Sequence, residues 1–236
     1  MAKILQIETS TEVCSVALSE DGNLLFLKES TEGLNHSELL TVFIEDLFAE
    51  NKIALNTIDA VAVAKGPGSY TGLRIGVSVA KGMCYALNIP LISMNSLRIM
   101  GTFTAKNASA YLPESDNEQF LFCPMIDARR LEVYTALYNP IGEEIMPVSA
   151  EIIEPGFLVE YLENHRILFF GNGAKKCRNI ITHRNALFNG PVSTSAQFMN
   201  DIALDKYNKK QFEDVAYFEP FYLKNFVATI PKNKIF

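Results

Sequence analysis

The sequence predicts an α/β protein of two similar halves, each with the element order βββαβα. Three observations lead there. Each half opens on an apolar strand that ends in a carboxylate, Glu8 in the first and Asp127 in the second. A turn signal then separates strand-like runs, Asp21-Gly22 in one half and residues 139–142 in the other. Finally, each half has a strand leading through a glycine-rich turn toward a helix, at 66–68 and at 171–174.

Taken in order, residues 3–8, 13–19 and 24–29 read as three antiparallel strands. Asn35 stands three residues before Glu38, a capping-box-like helix start. The helix runs to Asn51, and Leu39, Leu40, Val42, Phe43, Ile44, Leu47 and Phe48 give it a wide apolar face. Residues 58–64 are short, apolar and rich in small or β-branched side chains, as in a buried strand; a helix over 70–87, capped by Ser69, follows the glycine turn. A strand at 90–94 and a short helix from Ser96 close the half. Residues 112–118, LPESDNE, are polar with a proline and mark the boundary between expected domains at 1–111 and 118–236. The pattern then restarts, with strands at 120–126, 131–138 and 143–148, a helix at 157–162, a strand at 167–170, a Lys-rich helix after the 171–174 turn, and a final helix over 195–208.

The run KGPGSYTGLRIGVSVAKG, residues 65–82, carries the most information. Its helix has two apolar stripes, Leu73, Val77, Ala80, Cys84 and Leu87 on one and Ile75, Val79 and Met83 on the other. Only a narrow polar stripe of Arg74, Ser78, Lys81 and Tyr85 remains, so the helix needs two surfaces to bury itself against, one of them outside its own domain. Gly72, Gly76 and Ala80 recur four apart, a spacing that lets another backbone approach closely. A glycine inside a helix costs roughly 1 kcal/mol against alanine, so two of them require a reason. Close packing is one; a phosphate-binding loop is another. The spacing disfavours the second, because G-x-G-x-x-x-G is one residue longer than the dinucleotide pattern and no Lys-Ser or Lys-Thr follows a glycine.

Composition narrows the function classes. No stretch is apolar for 18 residues, and the N-terminus begins a strand pattern instead of a charged leader, so a soluble cytoplasmic protein is expected. Cys14, Cys84, Cys123 and Cys177 are widely spaced and read as reduced, buried thiols. A formal charge of −6 argues against a direct grip on nucleic acid, leaving any such role to a partner, and the clusters Lys175, Lys176, Arg178 and Lys206, Lys209, Lys210 read as solvated helix faces. The three histidines show no metal-ligand spacing, and His36 is expected to satisfy backbone groups at a helix start. No serine sits in a G-x-S-x-G context, so no catalytic residue is assigned. Glu8, Glu12 and Asp127 either face one cleft and hold a cation near a phosphate, or are solvated strand ends; Gly171 and Gly173 are the accompanying candidates for nucleotide contact.

Residues 65–76 match, at every position, the signature K-G-P-G-S-[YF]-T-G-[LIV]-R-[IV]-G of the TsaB (YeaZ) family, which the chain therefore resembles. Further matches are I-E-T-S at 7–10, H-S-E-x-L at 36–40, D-A-R-R at 127–130 with Tyr134, and P-x-Y-L-K at 220–224. The duplicated order is likewise similar to the actin-like ATPase (ASKHA, ribonuclease H-like) fold. The catalytic relative TsaD carries N-H-x-x-x-H after the strand corresponding to 90–94; here Ser96 and Met100 stand at the histidine positions. The resemblance thus implies a non-catalytic subunit without a metal. It would bind and activate TsaD, with TsaE joining through the complex, in forming threonylcarbamoyladenosine (t6A) beside the tRNA anticodon. It implies tRNA contact only through that complex, ATP or ADP bound weakly or only there, no membrane role, and a homodimer when alone. The surplus apolar residues place the partner surface at Leu40, Phe43, Ile44, Phe48, Gly72, Ile75, Gly76, Val79 and Met83. The alternative is an enzyme in its own right, an actin-fold ATPase or kinase or a glycoprotease.

Overall fold

The computed structural model describes residues 1–33, 35–112 and 120–224. Most of the expected polar boundary, residues 113–118, lies outside them. The first half comprises strands β1 (Lys3–Glu8), β2 (Cys14–Glu20) and β3 (Asn23–Ser30), helix α1 (His36–Glu50), β4 (Ala60–Gly66), α2 (Tyr70–Leu87), β5 (Leu91–Asn95) and α3 (Ser96–Lys106). The second comprises β6 (Phe120–Asp127), β7 (Glu132–Tyr138), β8 (Glu144–Ile152), α4 (Val159–Leu162), β9 (Arg166–Phe170), α5 (Ala174–Cys177), β10 (Ala186–Phe188) and α6 (Asn200–Asn208).

The two sheets repeat one topology. The first has the order β3-β2-β1-β4-β5 and the second, read from its other edge, β8-β7-β6-β9-β10. In each the first three strands are antiparallel and the last two join in parallel. The expected βββαβα order is therefore present in both halves and extended in each by a fifth strand. This is the duplicated actin-like arrangement. Asp21 and Gly22, both at positive φ (49° and 79°), form the turn between β2 and β3, as primed hairpin turns require. Strand β10 was not expected, since its three residues are too few for an alternation to register. The last helix also begins differently from expectation, Ala196–Met199 being a 3-10 turn before α6.

Strand alternation assigns each side chain to a face. Leu5, Ile7, Val61 and Val63 point toward α1 and α2, where Leu40, Ile44, Leu47, Phe48, Val77 and Cys84 meet them. Ile4, Ala60, Ala62 and Ala64 face the other way, and their small side chains admit Ile99 of α3 with Met199 and Ala203 at the end of the chain. The final helix thus belongs to the packing of the first sheet. Helix α3 is shared: Ile99 serves the first half while Leu97 and Met100 pack with Phe120, Phe122 and Tyr138 of the second. All four cysteines are free and buried.

The loop after β1 and the N-terminal part of α2 lock together. Ser69 donates its N–H to the Ser10 carbonyl at 2.7 Å. The Thr9 hydroxyl donates to the Gly72 carbonyl at 2.8 Å. The Ser69 hydroxyl in turn caps α2 by accepting from Gly72 N–H. A side-chain carbon on Gly72 would collide with the Thr9 carbonyl, and one on Gly76 with the Thr9 hydroxyl. The backbone that approaches these glycines is therefore that of the chain's own β1–β2 loop. Gly82, further along α2, is exposed and has nothing within 4 Å of such a carbon.

This contrast gives a test in one helix. Gly72→Ala is expected to lower the unfolding free energy by roughly 2–3 kcal/mol through overpacking against backbone. Gly82→Ala should raise it by up to about 1 kcal/mol through helix propensity alone. Urea unfolding of the two variants checks both signs, and a Gly72→Ala variant as stable as the parent would show that the interlock is loose.

Candidate functional site

Two regions gather the residues singled out from the sequence. The first is the cleft between the halves. Asn172, between two glycines in the turn after β9, donates to Glu12 at 2.7 Å and accepts from the Asp127 N–H at 2.9 Å, so one amide bridges both halves. Asp127 also accepts from Lys176 at 2.7 Å and from the Arg129 N–H at 2.6 Å. The Thr11 and Thr194 hydroxyls meet at 2.8 Å. Ser15 accepts from Ala196 N–H at 2.9 Å, and Ser15 and Ser195 both donate to Glu29.

Glu8 lies apart from this network. It is completely buried, and its Oε1 accepts the Ser10 N–H at 2.6 Å while Oε2 has no partner among the described residues. Burial pushes its pKa up to about 7, against the opposing pull of hydrogen bonding from Ser10. Of Glu8, Glu12 and Asp127, the Asn172 amide links only the last two. Among the described residues no three His, Cys, Asp or Glu come together at metal-binding distance. Gly171 and Gly173 also spend their N–H groups internally, on the Pro191 and Met125 carbonyls, both at 3.0 Å. A phosphate would have to compete with those bonds.

The second region is the surface of α1 and α2. Leu40, Ile44 and Phe48 are buried in the chain's own core, and Gly72 and Gly76 are buried under Thr9. Those five expected interface residues are thus committed internally, because the α1 face that looked surplus is needed to cover the sheet. Phe43, Ile75, Val79 and Met83 are only partly covered at the margin of that core, and Val42 is 46% exposed. Asn35 makes no side-chain cap. His36 instead reaches across to the Val13 carbonyl at 3.0 Å, tying α1 to the start of β2.

A strap formed by the last described residues crosses the polar stripe of α2, a feature that sequence periodicity did not reveal. Glu213 pairs with Leu91 at the edge of β5, Lys81 donates to the Ala216 and Phe218 carbonyls, and Phe221 N–H donates to the Lys65 carbonyl at 2.7 Å. Arg74 lies over the Tyr70 ring at 4.2 Å and donates Nε–H to the Tyr222 hydroxyl at 3.2 Å. The two signature motifs, 65–76 and 220–224, therefore meet in space. The signal was their joint presence, without any spacing rule to pair them.

The family described as TsaD, tRNA N6-adenosine threonylcarbamoyltransferase, matches residues 31–225. The chain is 30% identical over 238 aligned residues to the tRNA threonylcarbamoyladenosine biosynthesis protein TsaB of Escherichia coli, covering 96% of each. The chain belongs to the TsaB family. TsaB of Haemophilus influenzae is 28% identical over 95% of the chain and 94% of its own length. YeaZ from Pseudomonas aeruginosa superposes with a TM-score of 0.77 at 25% identity, over 94% of this chain and all of that one. Within this TsaB-family chain, Ser96 and Met100 are both buried, and Met100 packs over Gly171. The Ser96 hydroxyl has no partner among the described residues.

Glu8 gives the cleft a pH signature. Its carboxyl binds a proton more readily in the folded chain (about 7) than unfolded (4.5). It therefore contributes stability that is full below pH 4.5 and is lost as pH rises through 7. Glu8→Gln abolishes this titration, so its stability relative to the parent should climb by up to about 3 kcal/mol across that window and then level off. Urea unfolding from pH 4.5 to 8 measures the difference, and a flat difference would show that Glu8 is solvated.

Proposed function

We propose that the chain is a non-catalytic subunit that binds and activates a TsaD-type catalytic partner in t6A formation on tRNA. The observation that carries this reading is the apolar margin formed by Phe43, Ile75, Val79 and Met83, which the chain's own core leaves partly uncovered. Apolar surface of this kind marks a partner site. The side chains at the positions of TsaD's histidines support it, since a buried serine hydroxyl and a methionine do not replace imidazole ligands. Family membership and the relatives' names supply the reaction. TsaE would join through the complex, tRNA would be handled there, and in the absence of TsaD the same face would pair with a second copy in an isologous dimer. No helix among the described residues is long and apolar enough to cross a membrane, and we place the protein in the cytoplasm with its substrate. The binding of ATP or ADP by the chain alone would be weak, because Gly171, Gly173 and Ala174 in the turn already use their N–H groups.

Two measurements test this. A charge forced into the dry centre of an interface costs several kcal/mol, so Val79→Glu or Met83→Glu should abolish TsaD capture and leave the chain monomeric in light scattering with an unchanged circular dichroism spectrum. Reconstituted t6A synthesis with TsaD and TsaE should fail with these variants. Folded variants that capture TsaD at parental strength would place the interface elsewhere. Calorimetry of the isolated chain with ATP and Mg²⁺ should show no binding stronger than about −8 kcal/mol, and low-micromolar affinity would restore the ATPase reading.

A further inference from the structure

The C-terminal edge of the first sheet carries a concentration of positive charge that the proposed function does not use. Strands β4 and β5 run parallel and each leads into a helix, so α2 and α3 begin at one edge, where Gly66 pairs with Asn95. Lys65 is the penultimate residue of β4 there, Arg98 lies in the first turn of α3, and Lys206 reaches over from α6 to donate to the Ser93 carbonyl at 2.8 Å. Arg74 and the strap residues Phe221 and Tyr222 adjoin Lys65 through the Phe221 N–H bond to its carbonyl and the Arg74–Tyr222 contact. Among the described residues, no carboxylate forms an ion pair with Lys65, Arg74, Arg98 or Lys206. Glu213 is the one carboxylate that acts on Lys206 here; it accepts from the Ser93 hydroxyl and keeps its charge.

We propose that this edge is an RNA-backbone contact, in which Lys65, Arg98 and Lys206, flanked by Arg74, receive phosphates of the RNA on which the complex acts. The identity of that RNA rests on the functional reading above; the anionic chemistry does not. Like charges crowd at the edge strongly enough to be felt by one another: the Lys206 ammonium is held below its ordinary range by burial first and by Lys65 next, with Arg98 adding and Glu213 opposing. Both helices present their positive ends at this edge. Lys65, Arg98 and Lys206 against the single carboxylate of Glu213 leave a surplus of positive charge that matches a polyanion, whose binding releases condensed counterions. Phe221, 39% exposed beside Lys65, offers an aromatic face for an unpaired base. The overall charge of −6 keeps binding by the chain alone weak, so the contact matters when a partner holds the RNA nearby.

The test uses Lys65→Gln with Arg98→Gln, against a control that removes two exposed cations elsewhere, Lys52→Gln with Lys175→Gln. An unmodified tRNA transcript serves as probe in fluorescence anisotropy at about 50 mM salt and above. It is titrated with the isolated chain and again with the chain bound to TsaD, and TsaD capture is measured without RNA. The proposal expects the edge variant to lose about tenfold in RNA affinity and to lower the log–log salt slope by about one per cation removed. The control should change neither, and TsaD capture should persist. Undetectable binding by the parent chain in both arms, or equal loss in edge variant and control, overturns it. Loss of TsaD capture in the edge variant also overturns it and makes the edge a protein contact. If the parent fails to capture TsaD, the functional reading falls, while the isolated-chain titration still decides the edge.

Discussion

The contact between the β1–β2 loop and the start of α2 fixes the position of everything that bears on function. Thr9 and Ser10 fit against Gly72, Gly76 and the Ser69 N–H so closely that no side chain can intervene. Helix α2 is thereby pinned in rotation as well as in place. Leu73, Val77, Ala80 and Cys84 are turned inward, and Ile75, Val79 and Met83 are left at the margin. The polar stripe faces the strap, where Lys81 and Arg74 find their partners. Rotating α2 by one residue would exchange these three environments, and the glycines are what prevent it.

The same interlock shapes the cleft. By holding the β1–β2 loop against α2, it places Glu12 within reach of Asn172 and Thr11 within reach of Thr194, contacts made across 160 and 183 residues of sequence. Short polar side chains that satisfy one another join the halves, so the cleft gathers hydrogen bonds instead of free ligands. Buried polar groups are retained where each has a partner, and the Glu8 carboxyl, whose burial raises its pKa against the pull of Ser10, has one oxygen without a partner among the described residues.

Much of the fold was legible because its signals are local. The short apolar runs of β1 and β4, the Asp21-Gly22 turn and the Ser69 cap each depend on neighbours a few residues away. The partner surface was legible only in part. An apolar stripe on α1 announces burial without saying against what, and Leu40, Ile44 and Phe48 proved to face the chain's own sheet, while Phe43, Val79 and Met83 remain at its edge. The glycines were correctly read as close-packing positions, but the body that approaches them lies some 60 residues earlier in the chain, at a separation no periodicity reports.

Residue order carries the two α/β halves, the family resemblance, the strand-to-helix signature around residue 70, and the serine and methionine at 96 and 100, because each of these is written in consecutive or closely spaced residues. Tertiary structure alone decided that the 220–224 motif meets Arg74, that Asn172 closes the cleft, that α6 covers the first sheet, and that Lys65, Arg98 and Lys206 share one edge. Those juxtapositions arise where strands β4 and β5 bring two helix starts side by side and the stretch from α6 to Tyr222 folds back over them. Solvent exclusion and register select such contacts among distant segments, and neither leaves a mark on any single stretch of sequence.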